Sequence, residues 1–188
     1  MFDKFYETGA IHGRFQPFHN EHLEYCLKAK KYCKFLYVGI TQFQIQELKP
    51  SPNDKHRENK SDNPLTYFER FELIRDSLFE AGLTPNQFAI MPFPIDTPQL
   101  LQEFIPTNIT LFTTVNDSWN EHKIDILKEY GYDVVVLWER KKGVVGSNVR
   151  ELIYHDNPKW VSLVPKSVAS YLERINIANR IKSLKSIR

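Results

Sequence analysis

Gly13-Arg14-Phe15-Gln16-Pro17-Phe18-His19-Asn20-Glu21-His22 decides the reading of this chain. A short apolar run, Ala10-Ile11, leads into it, and a helical pattern from Leu23 onwards leads out. That order predicts a strand, a tight loop and a helix N-terminus. Gly13 permits a turn with little side-chain obstruction. Pro17 fixes the backbone just ahead of the helix and carries no N–H. His19 and His22 have helical spacing, so both imidazoles fall on one face of the first turn. Backbone N–H groups without intrahelical partners and the positive end of the helix dipole lie at the same place. Two imidazoles, an arginine and a helix N-terminus that converge make a site for an anion, most naturally a polyphosphate.

Working outward, residues 5–11 read as the first strand and residues 20–31 as the first helix. Residues 35–41 are a continuous apolar run, as in a central parallel strand covered on both faces. Residues 42–64 carry Pro50, Pro52 and Pro64 around a charge-mixed middle and read as a long surface loop. Such loops are lids, binding loops or insertions without function, and the choice stays open. A helix follows, with Thr66 and Glu69 at capping-box spacing. Phe68, Phe71, Leu73, Ile74 and Leu78 make its expected apolar stripe, and Gly82 its stop. Residues 88–93 and 109–115 read as strands with a short helix, 99–105, between them. The Asn116-Asp117 turn, a helix over 118–130 closed by Gly131, and a strand over 133–138 complete the alternation. This alternation predicts an α/β domain with a doubly wound parallel sheet, spanning residues 1–188 as one unit. Ligands of such sheets bind beyond the carboxyl ends of the strands, at the switch point. The opening motif and the Thr113 to Asn116 stretch both follow strands and could meet there; strand capping would explain Thr113 and Asn116 equally well. The basic turn 140–143 would by itself read as a solvated hairpin or loop, and the residues that follow it shift that balance. Residues 160–188 read as a C-terminal extension, a loop and then one amphipathic helix over 166–181, with Val168, Tyr171, Leu172, Ile175 and Ile181 partly inward and a basic solvated end.

Composition narrows the function classes. With 41% hydrophobic residues in 188, the chain can build a real core. Mean hydropathy is −0.45, and no stretch approaches the roughly 20 apolar residues of a membrane span. The first residues, Met1 to Glu7, lack an apolar signal-peptide core. Cys26 and Cys33 read as reduced structural thiols, so a cytoplasmic location is expected. A net charge of +2 is too small to argue for a nucleic-acid partner. There is no internal repeat, no metal-ligand cluster, and no glycine-rich loop of the P-loop or dinucleotide type, so no protein-bound metal is expected.

The opening stretch resembles Gly-Arg-Phe-Gln-Pro-Phe-His-x-Gly-His, the signature of the HxGH nucleotidyltransferases, and most closely that of the archaeal-type nicotinamide mononucleotide adenylyltransferases. Glu21 stands where the pattern has glycine. Asn63-Pro64-Leu65-Thr66 with Glu69-Arg70 is similar to the family's Asn-Pro-x-Thr-x-x-Glu-Arg. Capping and packing explain this segment apart from Asn63 and Arg70, and Arg70 is expected to anchor the loop in preference to a phosphate. Val144-Val145-Gly146-Ser147-Asn148-Val149-Arg150 resembles Ile-Ser-Gly-Thr-x-Ile-Arg, with Val145 in place of the first serine. Trp160, Leu163, Val164, Pro165 and Val168 match the archaeal-type C-terminal end.

The resemblance implies a Rossmann-like nucleotidyltransferase fold with a C-terminal helix. It implies AMP transfer from ATP to nicotinamide mononucleotide or nicotinic acid mononucleotide, with release of pyrophosphate and no covalent nucleophile on the protein. His19 and His22 would act on the α- and β-phosphates. Ser147, expected to cap its helix, would hold the β/γ end together with Gly146 and Arg150. Gly13, Arg14, Phe15 and Gln16 would contact the nucleotide or acceptor, with Thr113 and Asn116 helping. Mg2+ would arrive on the triphosphate. Members of the family often assemble, which leaves a homo-oligomer open. The acceptor pocket is not readable, so adenylyl or cytidylyl transfer to another phosphorylated acceptor remains an alternative. Glu21 leaves three outcomes open: a tolerated side chain turned away, a different nucleotide or acceptor, or a catalytically weak nucleotide-binding protein. His19→Ala or Arg150→Ala is expected to cut kcat by orders of magnitude and leave folding intact.

Overall fold

Strands and helices alternate in the order the sequence predicts. In the computed structural model, which describes residues 4–46, 48, 59–115, 118–141 and 143–186, the strands are β1 (Tyr6–Gly13), β2 (Cys33–Ile40), β3 (Phe88–Pro92), β4 (Thr110–Val115) and β5 (Val134–Glu139). The helices are α1 (Asn20–Lys30), α2 (Tyr67–Glu80), α3 (Leu101–Phe104), α4 (Ser118–Glu129), α5 (Gly146–Tyr154), α6 (Lys166–Arg174) and α7 (Ile177–Ser186). Residues 54–58 of the charge-mixed middle of the 42–64 loop, the Asn116-Asp117 turn, Lys142 and both chain ends lie outside the described residues, while the end of that expected surface loop is a 3-10 turn, Lys60–Asp62, with Ser61, Asn63 and Pro64 buried.

The residues fall into two compact units. The first comprises Met1–Gly13, Glu24–Phe43 and Leu83–Lys142 and holds the whole sheet. All its strand pairs are parallel, in the order β3-β2-β1-β4-β5. The chain winds from β1 to one edge, returns to the other side of β1 and winds out again. The sheet is therefore doubly wound, with its switch point between β1 and β4. Ile11, Leu36, Val38, Ile40, Leu111 and Phe112 are fully buried, which is why these strands read as unbroken apolar runs. Ala10, Phe93, Ile95, Leu101, Ile105, Leu127 and Tyr132 continue the core, and the Tyr132 hydroxyl donates to the Ile105 carbonyl at 2.7 Å. Burial pushes both free thiols up, Cys33 to about 11, so neither is an anionic nucleophile near neutral pH.

Gly39 makes room for the Phe93 side chain, because a Cβ there would sit 2.7 Å from the Phe93 Cβ. Gly39→Ala is expected to cost about 1–3 kcal/mol through overpacking, read as a fall in Tm.

The second unit comprises Arg14–Leu23, Gln44–Gly82 and Gly143–Arg188. Within it α2 packs on α6, and α7 packs on both α5 and α6. Two expectations are corrected here. Phe68 is 62% exposed, and the buried face of α2 is Arg70, Leu73, Ile74, Ser77 and Leu78. A fully buried arginine thus sets the face, and Phe68 lies on the opposite side of the helix. The tail is two helices, not one. Asn176 adopts a left-handed φ of 52° between α6 and α7, a conformation asparagine tolerates better than most residues. The 99–105 segment is a 3-10 turn, Pro98–Leu100, running into the single turn of α3.

Candidate active site

The loop after β1 is strained and held from several sides. Phe15 has φ of +54°, a costly conformation for a bulky residue. Its ring is buried with that of Phe18, and the two rings lie 5.5 Å apart. His22 rests edge-on to Phe15 at 4.9 Å and 5.7 Å from Phe18. The two phenylalanines of the motif therefore form the bed beneath an imidazole. Arg70 donates through Nη1 to the Arg14 carbonyl at 2.9 Å and through Nε to the Thr66 carbonyl. That is the anchoring role expected of it. Burial pushes its guanidinium down to about 10, with the Arg14 charge adding to the effect.

Gln16 is buried, and both ends of its amide are engaged by one residue. Its Nε2 donates to the Leu65 carbonyl at 2.8 Å, and its Oε1 accepts from the Leu65 N–H at 3.0 Å. The side chain thus closes a two-bond ladder to the segment before α2. Thr66 caps that helix in a full capping box with Glu69, as the spacing predicts. Arg180 of α7 binds the Glu69 carboxylate and the Pro64 carbonyl. Gln16→Ala strands the Leu65 N–H and C=O in a buried place. It is expected to cost about 1–3 kcal/mol, seen as a lower urea midpoint at unchanged m.

At the start of α1, the His19 carbonyl accepts from the His22 and Leu23 N–H groups at 2.9 and 3.1 Å. The two imidazoles stack with centroids 3.5 Å apart. The His22 Nδ1 accepts from the His19 backbone N–H at 3.3 Å. An accepting Nδ1 carries no proton, so the hydrogen bond assigns the neutral His22 ring its proton on Nε2, where it is a donor.

The second signature opens α5. Val145 is the N-cap residue and offers no side-chain cap, and Ser147 lies one residue inside the helix, exposed. The expectation that Ser147 caps is corrected. The lost serine hydroxyl at Val145 leaves the first-turn N–H groups without a side-chain acceptor. Gly146 lies against the opening motif, since a Cβ there would come within 2.9 Å of the Gln16 carbonyl oxygen. Arg150, buried, donates through Nη1 to that same carbonyl at 2.7 Å and through Nη2 to the Asp62 carboxylate. Glu21 is turned onto the approach to α5, where its Oε1 accepts from the Gly143 and Val144 N–H groups at 2.7 and 3.0 Å.

Of the expected residues, Arg14, Phe15, Gln16, His19, His22, Gly146, Ser147 and Arg150 share the second unit. Gly13 and Thr113 belong to the first, and Asn116 lies outside the described residues. Gly13 ends β1, and Thr113 is buried within β4, where its hydroxyl meets the Tyr25 phenol. Tyr25 donates to the Phe112 carbonyl, and burial keeps its phenol protonated far beyond neutral pH. Near the end of β1 the His12 ring stacks flat on Phe93 at 4.5 Å. Asp62, Glu21 as a clamp, and His12 were not singled out by sequence pattern. Their partners are distant in sequence, and no local spacing points to them.

The chain is 37% identical over 177 residues to a phosphonoformate cytidylyltransferase of Streptomyces viridochromogenes, covering 94% of this chain and 96% of that protein. The chain belongs to the nucleotidyltransferase family. This nucleotidyltransferase is also 28% identical to a nicotinamide-nucleotide adenylyltransferase of Thermococcus kodakarensis, over 95% of its own length and 88% of the relative's. Its fold matches the crystal structure of a bifunctional NMN adenylyltransferase/ADP ribose pyrophosphatase from Francisella tularensis. That match has a TM-score of 0.66 at 18% identity and covers 96% of this chain but 52% of that one, about half the bifunctional protein's length. No protein-family model matches the chain. Among the described residues no helix is long and apolar enough to cross a membrane.

Proposed function

We propose that the enzyme transfers a cytidylyl group from CTP to a small acceptor bearing a phosphonate or phosphate oxyanion. The observation that carries this reading is the 37% identity, over nearly the whole of both chains, to a phosphonoformate cytidylyltransferase. An acceptor oxyanion attacks the α-phosphorus, the bond to the α–β bridging oxygen breaks, and pyrophosphate leaves with that electron pair. The nucleophile is already anionic, so no protein base is required. Catalysis comes from positioning and from donors aimed at the charge that builds on the transferring and leaving phosphates.

His19 and His22 supply imidazole donors on one face of the α1 terminus. The uncapped N–H groups of α5, with the Ser147 hydroxyl, suit the leaving pyrophosphate. Arg150 already spans Asp62 and the Gln16 carbonyl. Its first role is to tie α5 to the opening loop, and direct contact with phosphate requires exchange of Asp62 for a phosphate oxygen. Asp62 is turned onto Arg150, and the remaining groups are imidazoles, N–H donors and a hydroxyl. This donor set suits a triphosphate that brings its own Mg2+ as part of the substrate.

A second reading is adenylyl transfer to nicotinamide mononucleotide or nicotinic acid mononucleotide. It is favoured by the opening motif and by archaeal relatives such as the Thermococcus kodakarensis enzyme at 28% identity. The two separate in one assay: pyrophosphate release with CTP or ATP, each crossed with phosphonoformate, the two pyridine mononucleotides, phosphocholine, glycerol 3-phosphate and phosphopantetheine. Release with CTP and a small phosphonate supports the first reading. Release confined to ATP and a pyridine mononucleotide overturns it in favour of the second.

A further inference from the structure

We propose that Glu21 is a positioning residue that sets the nucleotide-binding geometry of α5, an inference that rests on the nucleotidyl-transfer reading. The family pattern has glycine at this position, which offers no side chain to make a contact. Here one carboxylate oxygen takes two successive backbone donors, the Gly143 and Val144 N–H groups, at 2.7 and 3.0 Å. Charge-assisted bonds of this kind are the stronger class. The residues it holds run directly into α5, whose cap residue, Val145, contributes no side-chain bond. An uncapped helix start gains its orientation from what precedes it, and Glu21 supplies that restraint from the first turn of α1, which carries His22 and directly follows His19. The clamp therefore joins the two imidazoles to the N–H groups that face a leaving pyrophosphate.

Gly143 is matched to it. A Cβ at that position would lie 2.9 Å from the Glu21 Oε1, so an alanine there would push the carboxylate off its present position. One turn along α1, Glu24 grips the Arg140 guanidinium through both of its oxygens. The negative charge of Glu21 is spent on backbone donors, which makes a carboxylate compatible with a site that takes a polyanion.

The test is a double-mutant cycle between Glu21 and Gly143, read by calorimetric nucleotide affinity and by steady-state pyrophosphate release. Glu21→Ala is expected to weaken nucleotide binding and raise the nucleotide KM by about tenfold, with the acceptor KM nearly unchanged, as the loss of two such bonds implies. Glu21→Gln keeps an accepting oxygen and should restore the nucleotide KM to within about threefold of wild type. Gly143→Ala should weaken nucleotide binding in the wild-type background and add little in the Glu21→Ala background, since the clash is then gone. Additive effects, or a Glu21→Ala protein with wild-type nucleotide affinity, would overturn the clamp. The binding arm needs no turnover: a wild-type enzyme that bound nucleotide but released no pyrophosphate would refute the proposed reaction and still decide the role of Glu21. A wild-type protein that bound neither CTP nor ATP would overturn both.

Discussion

Arg150→Ala is expected to abolish pyrophosphate release and to destabilise the protein together. The sequence pattern suggests a phosphate ligand whose loss leaves folding intact, and the packing corrects that. Arg150 has 4% of its side chain exposed, and its partner Asp62 has 17%. Removing the guanidinium breaks a largely buried ion pair, which costs about 3–5 kcal/mol. It also strips the Gln16 carbonyl of the donor that ties α5 to the strained loop. A lysine carries the charge but not the fork, so it cannot hold Asp62 and the Gln16 carbonyl in the same geometry. Arg150→Lys should therefore recover much of the lost Tm and little of the activity. Thermal unfolding beside the pyrophosphate assay checks both; an Arg150→Ala protein with wild-type Tm would show that the ion pair contributes nothing to folding.

His22→Ala should separate chemistry from folding more cleanly. The ring is only partly buried, and its bed of Phe15 and Phe18 stays in place. Loss of one preorganised donor to the transition state typically lowers kcat by about 10²–10³. The expected signature is a kcat effect of that size with Tm close to wild type and nucleotide affinity changed far less. His19→Ala should lower kcat similarly but also lower Tm, because His19 is 3% exposed and stacked on His22. A His22→Ala enzyme with wild-type kcat would remove the imidazole pair from the mechanism.

The parts of this protein that are local in sequence are the parts that can be read from it. The strand, loop and helix around Gly13 to His22 follow from an apolar run, a proline and a change of period within a few residues. The Thr66–Glu69 box lies within one helical turn and is formed as its spacing predicts. The parallel sheet is legible because buried strands are uninterrupted apolar runs. What the pattern does not reveal is the wiring between distant segments. Nothing near Asp62 announces Arg150, and nothing near Gln16 announces the backbone of Leu65. Glu21 reads as a departure from a glycine, and only the fold reveals the two N–H groups it meets. Phe68 misleads for a related reason: helical period counts an aromatic as inward, whereas the buried Arg70, which anchors the Arg14 carbonyl, sets the face of α2. The break between α6 and α7 has a local signal, Asn176, that the continuing apolar period masks.

The proposed nucleotidyl transfer by the imidazole pair is tested most directly with nucleoside triphosphate radiolabelled at the α-phosphorus, with Mg2+ and the panel of acceptors, comparing wild type with His22→Ala. The predicted result is label moved onto one acceptor, with an equal amount of pyrophosphate released, and this transfer strongly reduced in a folded His22→Ala protein. Bound nucleotide with no label transferred to any acceptor, or equal transfer by the His22→Ala protein, would contradict it.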